Sequence, residues 1–191
     1  MKFGIIKERK NPPDRRVVFT PEELVRLQSE HPEAEIKVES SDIRIFSDDQ
    51  YRNLGLNVTA EMSDCDVLFG VKEVPVDALI PNKKYFFFSH TIKKQPYNRK
   101  LLKAILDKNI ELYDHETIVD ATNHRLIGFG RYAGLVGAYN GFRGFGIKYD
   151  LFTLPKAETL SGKEDLIARL KRQTLPNIKI VLTGHGKVGM G

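Results

Sequence analysis

Short apolar runs alternate with capped, amphipathic segments from Phe3 to Tyr113, and that alternation leaves few folds open to the chain. Phe3 to Ile6 reads as a strand. Thr20-Pro21-Glu22-Glu23 opens a helix to about Ser29, with Thr20 as N-cap, proline at the first helical position and Glu23 completing a capping box. Ile36 and Val38 mark a second strand, and Ser47-Asp48-Asp49-Gln50 opens a helix that ends before Gly55. Val67 to Val71 and Tyr85 to Phe88 read as buried strands, with a short helix over Pro75 to Ile80 between them. Pro96 to Asp107 is amphipathic, with Leu101, Leu102, Ile105 and Leu106 on one face, and a strand over Ile110 to Tyr113 follows. This order calls for an α/β fold, Rossmann-like or flavodoxin-like, in which helices cover both faces of a parallel sheet.

Ligands of such sheets bind outside the carboxyl ends of the strands. The rule singles out Lys72-Glu73 and Ser89-His90, where two strands stop, and Arg15-Arg16 in the loop after the first strand. The fork of Arg16 suits a carboxylate, although a solvated loop arginine reads the same way. Lys72 loses charge on partial burial and then serves as a base, unless Glu73 or another carboxylate pairs with it. Histidine as a residue type suits acid–base work near neutrality, which makes His90 a candidate, but a packing histidine also follows an aromatic strand. Glu116 suits the orienting of a cation or a structural pair. His115 and His124 lack zinc-ligand spacing, so no metal is assigned.

From Phe129 the chain changes character. Gly130, Gly134, Gly137 and Gly141 recur at three- and four-residue steps, one stripe of a helix over Tyr132 to Tyr149 that links two domains and presses its glycines against another element. Ser161-Gly162-Lys163-Glu164 caps a further helix to about Arg172. Ile178 to Leu182 then reads as a buried strand running into Gly184, Gly186 and Gly189, the G-x-G-x-x-G spacing of a dinucleotide loop. The phosphate-binding helix and the acidic ribose contact, expected about 20 residues on, fall beyond Gly191. The chain is accordingly read as the front part of a longer polypeptide: a substrate domain over 1–130, a linking helix and connection over 131–175, and the start of a nucleotide-binding domain over 176–191.

Charge and cysteine usage narrow the class. Thirty Lys and Arg against 25 Asp and Glu, without a dense basic run, give nucleic-acid binding no support and leave anionic small molecules as ligands. One cysteine excludes an internal disulfide and suits a reducing cytoplasm. Met1 to Ile6 is too short for a signal peptide and no run is long enough for a membrane span, so no membrane partner is expected.

Lys7-Glu8, Arg16-Val17-Val18-Phe19-Thr20-Pro21, Gly70-Val71-Lys72-Glu73-Val74-Pro75 and Ser89-His90-Thr91-Ile92-Lys93-Lys94-Gln95 resemble the substrate-domain motifs of the alanine dehydrogenase and saccharopine dehydrogenase superfamily. Phe129 to Ala138 looks more like its lysine-forming, NAD-dependent branch. The resemblance implies a two-domain oxidoreductase that passes hydride from an amino or secondary-amino acid to NAD, with NADP still open. It implies Lys72 as the base on the substrate amine and His90 as the acid–base group for imine hydrolysis. Arg16, Gln95, Arg125 and Phe129 match substrate contacts, and Lys93 and Glu116 match residues that tune the site, while the cofactor assignment of Gly184, Gly186 and Gly189 rests on their spacing. Saccharopine giving lysine and 2-oxoglutarate is the first substrate assignment and alanine giving pyruvate the second. A non-catalytic ligand-binding domain is the third reading, and a homo-oligomer is compatible with all three.

Overall fold

In the computed structural model, which describes residues 1–191, six strands form one sheet: β1 (Lys2–Ile5), β2 (Glu35–Glu39), β3 (Asn57–Thr59), β4 (Val67–Phe69), β5 (Lys84–Phe87) and β6 (Glu111–Asp114). All pairings are parallel and the order is β3-β2-β1-β4-β5-β6. The chain winds one way from β1 to β3 and the other way from β4 to β6. The loops leaving β1 and β4 therefore diverge, and a crevice opens between them at the carboxyl edge.

Both expected capping boxes close. Glu23 donates its N–H to Thr20 Oγ1 at 3.2 Å and accepts from the Thr20 N–H at 2.8 Å, starting α1 (Pro21–Glu30). Ser47 and Gln50 do the same for α2 (Asp48–Arg52). These helices bury Leu24 and Tyr51 against Ile5, Ile36 and Val38 on one face of the sheet. On the other face α3 (Arg99–Asp107) covers Leu68, Tyr85 and Phe87. Each such side chain contributes about 1.5–3 kcal/mol relative to exposure. Successive residues of β5 point to opposite faces, so Phe86 stacks between Phe69 and Tyr113, ring centroids 4.7 and 4.5 Å away, across the strands.

Two expectations for this part of the chain need correction, and one strand was not foreseen. Asn57–Thr59 is an edge strand that three residues with one apolar side chain do not announce. Pro75 to Ile80 holds only a 3₁₀ turn over Val76–Ala78. In α3 the buried stripe is Leu101, Ala104 and Ile105, while Leu102 and Leu106 face outward, Leu106 with 70% exposure. A nine-residue helix on a flat sheet buries one i, i+3, i+4 stripe, and Leu102 and Leu106 lie a further 100° round it.

Residues Met1–Gly128 form one compact unit and Phe129–Gly191 another. In the second, α4 (Gly130–Lys148) and α5 (Lys163–Lys171) enclose Tyr139, Leu154 and Leu166, and the Tyr139 hydroxyl donates to the Pro155 carbonyl at 2.9 Å. The glycine stripe of α4 is close-packed at one end only. A Cβ at Gly130 would come 2.8 Å from Lys187 Cβ and one at Gly134 would strike the Val188 carbonyl oxygen, whereas Gly137, Gly141 and Gly144 face open space. Ser161 does not cap α5. Gly162 holds that position, and Ser161 turns its N–H and hydroxyl to Asp165 at 3.4 Å.

Ile178 to Leu182, expected as a buried strand, pairs with nothing, and Val181 and Leu182 are each 76% exposed. A strand needs a neighbour for its N–H and C=O groups, and Phe129–Gly191 contains no other strand. No helix is long and apolar enough to cross a membrane.

Candidate active site

Carboxylates at strand ends build the rim. Glu39, the buried last residue of β2, accepts the Lys7 N–H at 2.9 Å and pairs with the Arg9 guanidinium, so the loop after β1 leaves in a fixed direction. Glu8 crosses the crevice to β4, where its two oxygens accept the N–H groups of Val71 at 2.7 Å and Lys72 at 2.8 Å. Further along the loop Asp14 grips Arg16 with both oxygens, from Nε at 2.9 Å and Nη2 at 2.5 Å. That fork lowers the Asp14 carboxyl against the opposing effect of burial.

Lys72 has no carboxylate within ion-pair distance. Burial, then the charges of Arg16 and Lys10, push its ammonium below the ordinary lysine range, and Glu73 and Asp14 only partly offset them. Glu73 faces elsewhere: its Oε1 lies 2.5 Å from His90 Nδ1, and its Oε2 is 3.6 Å from Lys10 Nζ. Burial works to raise the Glu73 carboxyl, but its own backbone N–H and His90 outweigh that and hold it below the usual range. His90 sits at φ +55, a left-handed conformation uncommon for a residue with a Cβ. Asn98 holds it there by donating its side-chain amide to the His90 carbonyl at 3.0 Å.

At the end of β6, Asp114 accepts the Ser89 hydroxyl and, at 2.8 Å, the Glu116 N–H, tying the β5 and β6 loops together. Glu116 Oε1 lies 3.1 Å from Lys93 and 3.5 Å from Arg125, whose guanidinium stands 6.0 Å from the centre of the Phe88 ring. Between these layers His115, buried against Phe88, points Nε2 at the Gly70 carbonyl, 3.1 Å away.

Burial lowers the His115 pKa below 6.5, over the opposing effects of Gly70 and Asp114. The unfolded chain thus binds a proton below pH 6.5 that the fold refuses, and the His115 contribution to stability, constant above that pH, falls as pH drops toward the depressed folded value. Urea midpoints measured at about pH 7.5 and about pH 5.5 should differ less in His115→Gln than in the parent chain. An equal loss in both proteins would assign the acid sensitivity to other groups.

The structure thus brings Arg16, Lys72, His90, Lys93, Glu116 and Arg125 to the carboxyl edge of one sheet. Gln95 is exposed on the His90 loop and lines a neighbouring hollow of about 360 Å³ with Thr91, Lys94, Asn98 and Arg99. Phe129 belongs to the second unit, directly before α4. So do the three fingerprint glycines. Gly184 has φ +92, a Cβ on Gly186 would meet nothing within 4 Å, and one on Gly189 would come 2.5 Å from the Gly184 carbonyl oxygen. Glu8, Asp14, Glu39 and Asp114 were not singled out from sequence as site residues. Three of them end or follow a strand, and the strand-end rule applied to β1, β2 and β6 finds them.

A doubly wound parallel sheet with Arg16, Lys72 and His90 at its carboxyl edge defines an α/β domain of the kind whose ligands bind outside the strand ends. The family described as alanine dehydrogenase/PNT, N-terminal domain, matches residues 4–136, and the chain belongs to that family. An alpha-aminoadipic semialdehyde synthase of Arabidopsis thaliana is 30% identical over 98% of this chain and 20% of its own length. A saccharopine dehydrogenase [NAD(+), L-lysine-forming] of Yarrowia lipolytica is 28% identical over 82% of this chain and 47% of its own. The solved transhydrogenase of Sinorhizobium meliloti shares the fold, with a TM-score of 0.62 at 18% identity over 83% of this chain and 48% of that one. The chain spans between a fifth and about half of the length of these relatives.

Proposed function

We propose that this chain supplies the amino-acid-binding half of an NAD-dependent oxidoreductase that cleaves saccharopine to lysine and 2-oxoglutarate. One observation carries the reading: Lys72 is half-buried, without an ion pair, beside Arg16 and Lys10 at the point where the strand order reverses. A lysine so placed gives up its proton more readily than a surface lysine, which suits a base that takes a proton from a secondary amine. Arg16, aimed by Asp14, and Arg125, aimed by Glu116, suit substrate carboxylates. His90, oriented through Nδ1 by Glu73, is left with Nε2 to activate water on the substrate imine and to return a proton to the leaving amine.

The glycine spacing of the second unit suits a dinucleotide loop, while its lead-in, Ile178 to Leu182, forms no strand in this chain. Open space at Gly186 allows close backbone approach, and the Gly184–Gly189 contact admits no Cβ. NAD, when bound, supplies the hydride acceptor. The single, buried Cys65 and the surplus of basic residues suit a reducing cytoplasm and an anionic substrate.

The test is turnover by the protein that carries this domain. Saccharopine with NAD should yield NADH, lysine and 2-oxoglutarate while alanine stays inert. Turnover of alanine without saccharopine would replace the assignment with the alanine reading, and binding of saccharopine without turnover of either would leave a binding domain.

A further inference from the structure

We infer that Glu8 is a positioning residue, which sets the depth of the Lys72 ammonium by holding the backbone on which that side chain stands. This inference rests on the proposed role of Lys72. On the β1 side the backbone ladder of β4 stops at the bond from the Ile6 N–H to the Phe69 carbonyl, 2.9 Å. The next amides that need an acceptor there, Val71 and Lys72, find the Glu8 carboxylate in place of a strand. One oxygen serves each amide, across a sequence separation of 63 and 64 residues. Glu8 is only 8% exposed and Val71 3%, so water does not stand in for it. Gly70 makes room: a Cβ there would press within 3.1 Å of Ile6 and 3.6 Å of Glu8 Oε1.

The clamp spans the crevice where the strand order reverses. It therefore couples the loop that carries Arg16 to the turn that carries Lys72. Arg16 has its own support in Asp14. Loss of the Glu8 clamp should accordingly disturb proton transfer at Lys72 much more than capture of substrate carboxylate.

Glu8→Gln keeps the size of the side chain but turns an amide NH₂ toward one of the two N–H groups, leaving it without an acceptor. In the protein that carries this domain, kcat should fall by up to about 10²-fold while KM changes by about twofold or less, as expected for a displaced acid–base group. Two readouts need no turnover. The pH at which Lys72 is half-maximally acetylated by acetic anhydride, read by mass spectrometry on the 191-residue chain, should rise toward that of surface lysines. Amide exchange at Val71 or Lys72 should quicken.

An unchanged acetylation profile overturns the inference, whatever happens to exchange or stability, because a merely structural role predicts quicker exchange and lost stability without a change at Lys72. If Glu8→Gln does not fold, Glu8→Asp, one methylene too short to reach both amides, takes its place with the same outcomes. A shifted acetylation profile in a protein that never turns over saccharopine or alanine would sustain the clamp and refute the enzyme reading, so the two failures are distinguishable.

Discussion

Replacing Lys72 with methionine is expected to cut saccharopine turnover by about 10²–10⁴-fold, the usual contribution of a positioned acid–base group. Methionine keeps the length and apolar stem of the side chain. No carboxylate pairs with the Lys72 ammonium, so the substitution strands no buried partner and the fold should stand. A thermal midpoint close to that of the parent chain is the control. The pH profile supplies the sign. Lys72 is pushed below the ordinary lysine range by burial, Arg16 and Lys10. Its neutral, proton-accepting form therefore appears at a lower pH than in a surface lysine, and kcat/KM for saccharopine should rise as pH climbs through that lowered value. In Lys72→Met this limb should vanish with the activity. Near-normal turnover in the variant would remove Lys72 from the mechanism and return the Arg16–Lys72 cluster to a purely electrostatic role.

The parts of the fold legible in the sequence are those whose signal is local. The boxes Thr20 to Glu23 and Ser47 to Gln50 each close within four residues, so no tertiary contact is needed to start α1 and α2. Tyr85-Phe86-Phe87 announces its strand by apolar density alone. Where the expected elements differ, the deciding partner lies far away in sequence. Asn57–Thr59 is a strand because Lys37 to Glu39 is there to pair with it. Ile178 to Leu182 has the composition of a strand and no neighbour that would make it one. The stripe of α3 was right at Leu101 and Ile105 and wrong at Leu102 and Leu106, because four apolar residues on a helix do not say which pair meets the sheet; Tyr85 and Phe87 decide it.

The site divides along the same line. Lys72 and His90 were legible because strand ends at the carboxyl edge deliver polar residues to a shared rim, and the sheet places both there. The carboxylates that tie the rim's backbone together were not, since they act across long stretches of sequence. Glu8 reaches Lys72 over 64 residues, and Asp114 reaches Ser89 over 25. The pairing of Glu73 went the other way from the simplest reading: it takes His90, leaving its neighbour Lys72 unpaired. Adjacent residues leaving a strand point apart, and that geometry separates Lys72 from the nearest counter-charge.

Truncation of Phe87 to alanine is expected to be the most damaging single change to stability in this sheet, about 3–5 kcal/mol. Phe87 has no exposed surface and packs edge-on to Tyr85, ring centroids 6.0 Å apart, in the cluster that α3 covers. A cavity there has α3 on one side and β4 and β6 on either side, so little can collapse into it. Phe86, one residue back, provides the internal comparison. It points to the opposite face, where it is only partly buried and stacks between Phe69 and Tyr113. Phe86→Ala forfeits partial burial and two ring contacts, about 1–2 kcal/mol. Urea unfolding followed by far-ultraviolet circular dichroism measures both, since the chain has no tryptophan to report. The two residues are matched in composition and adjacent in the chain, so hydrophobicity alone cannot separate them. A Phe86→Ala loss equal to or greater than that of Phe87→Ala would mean that the cluster under α3 does not dominate the stability of the sheet.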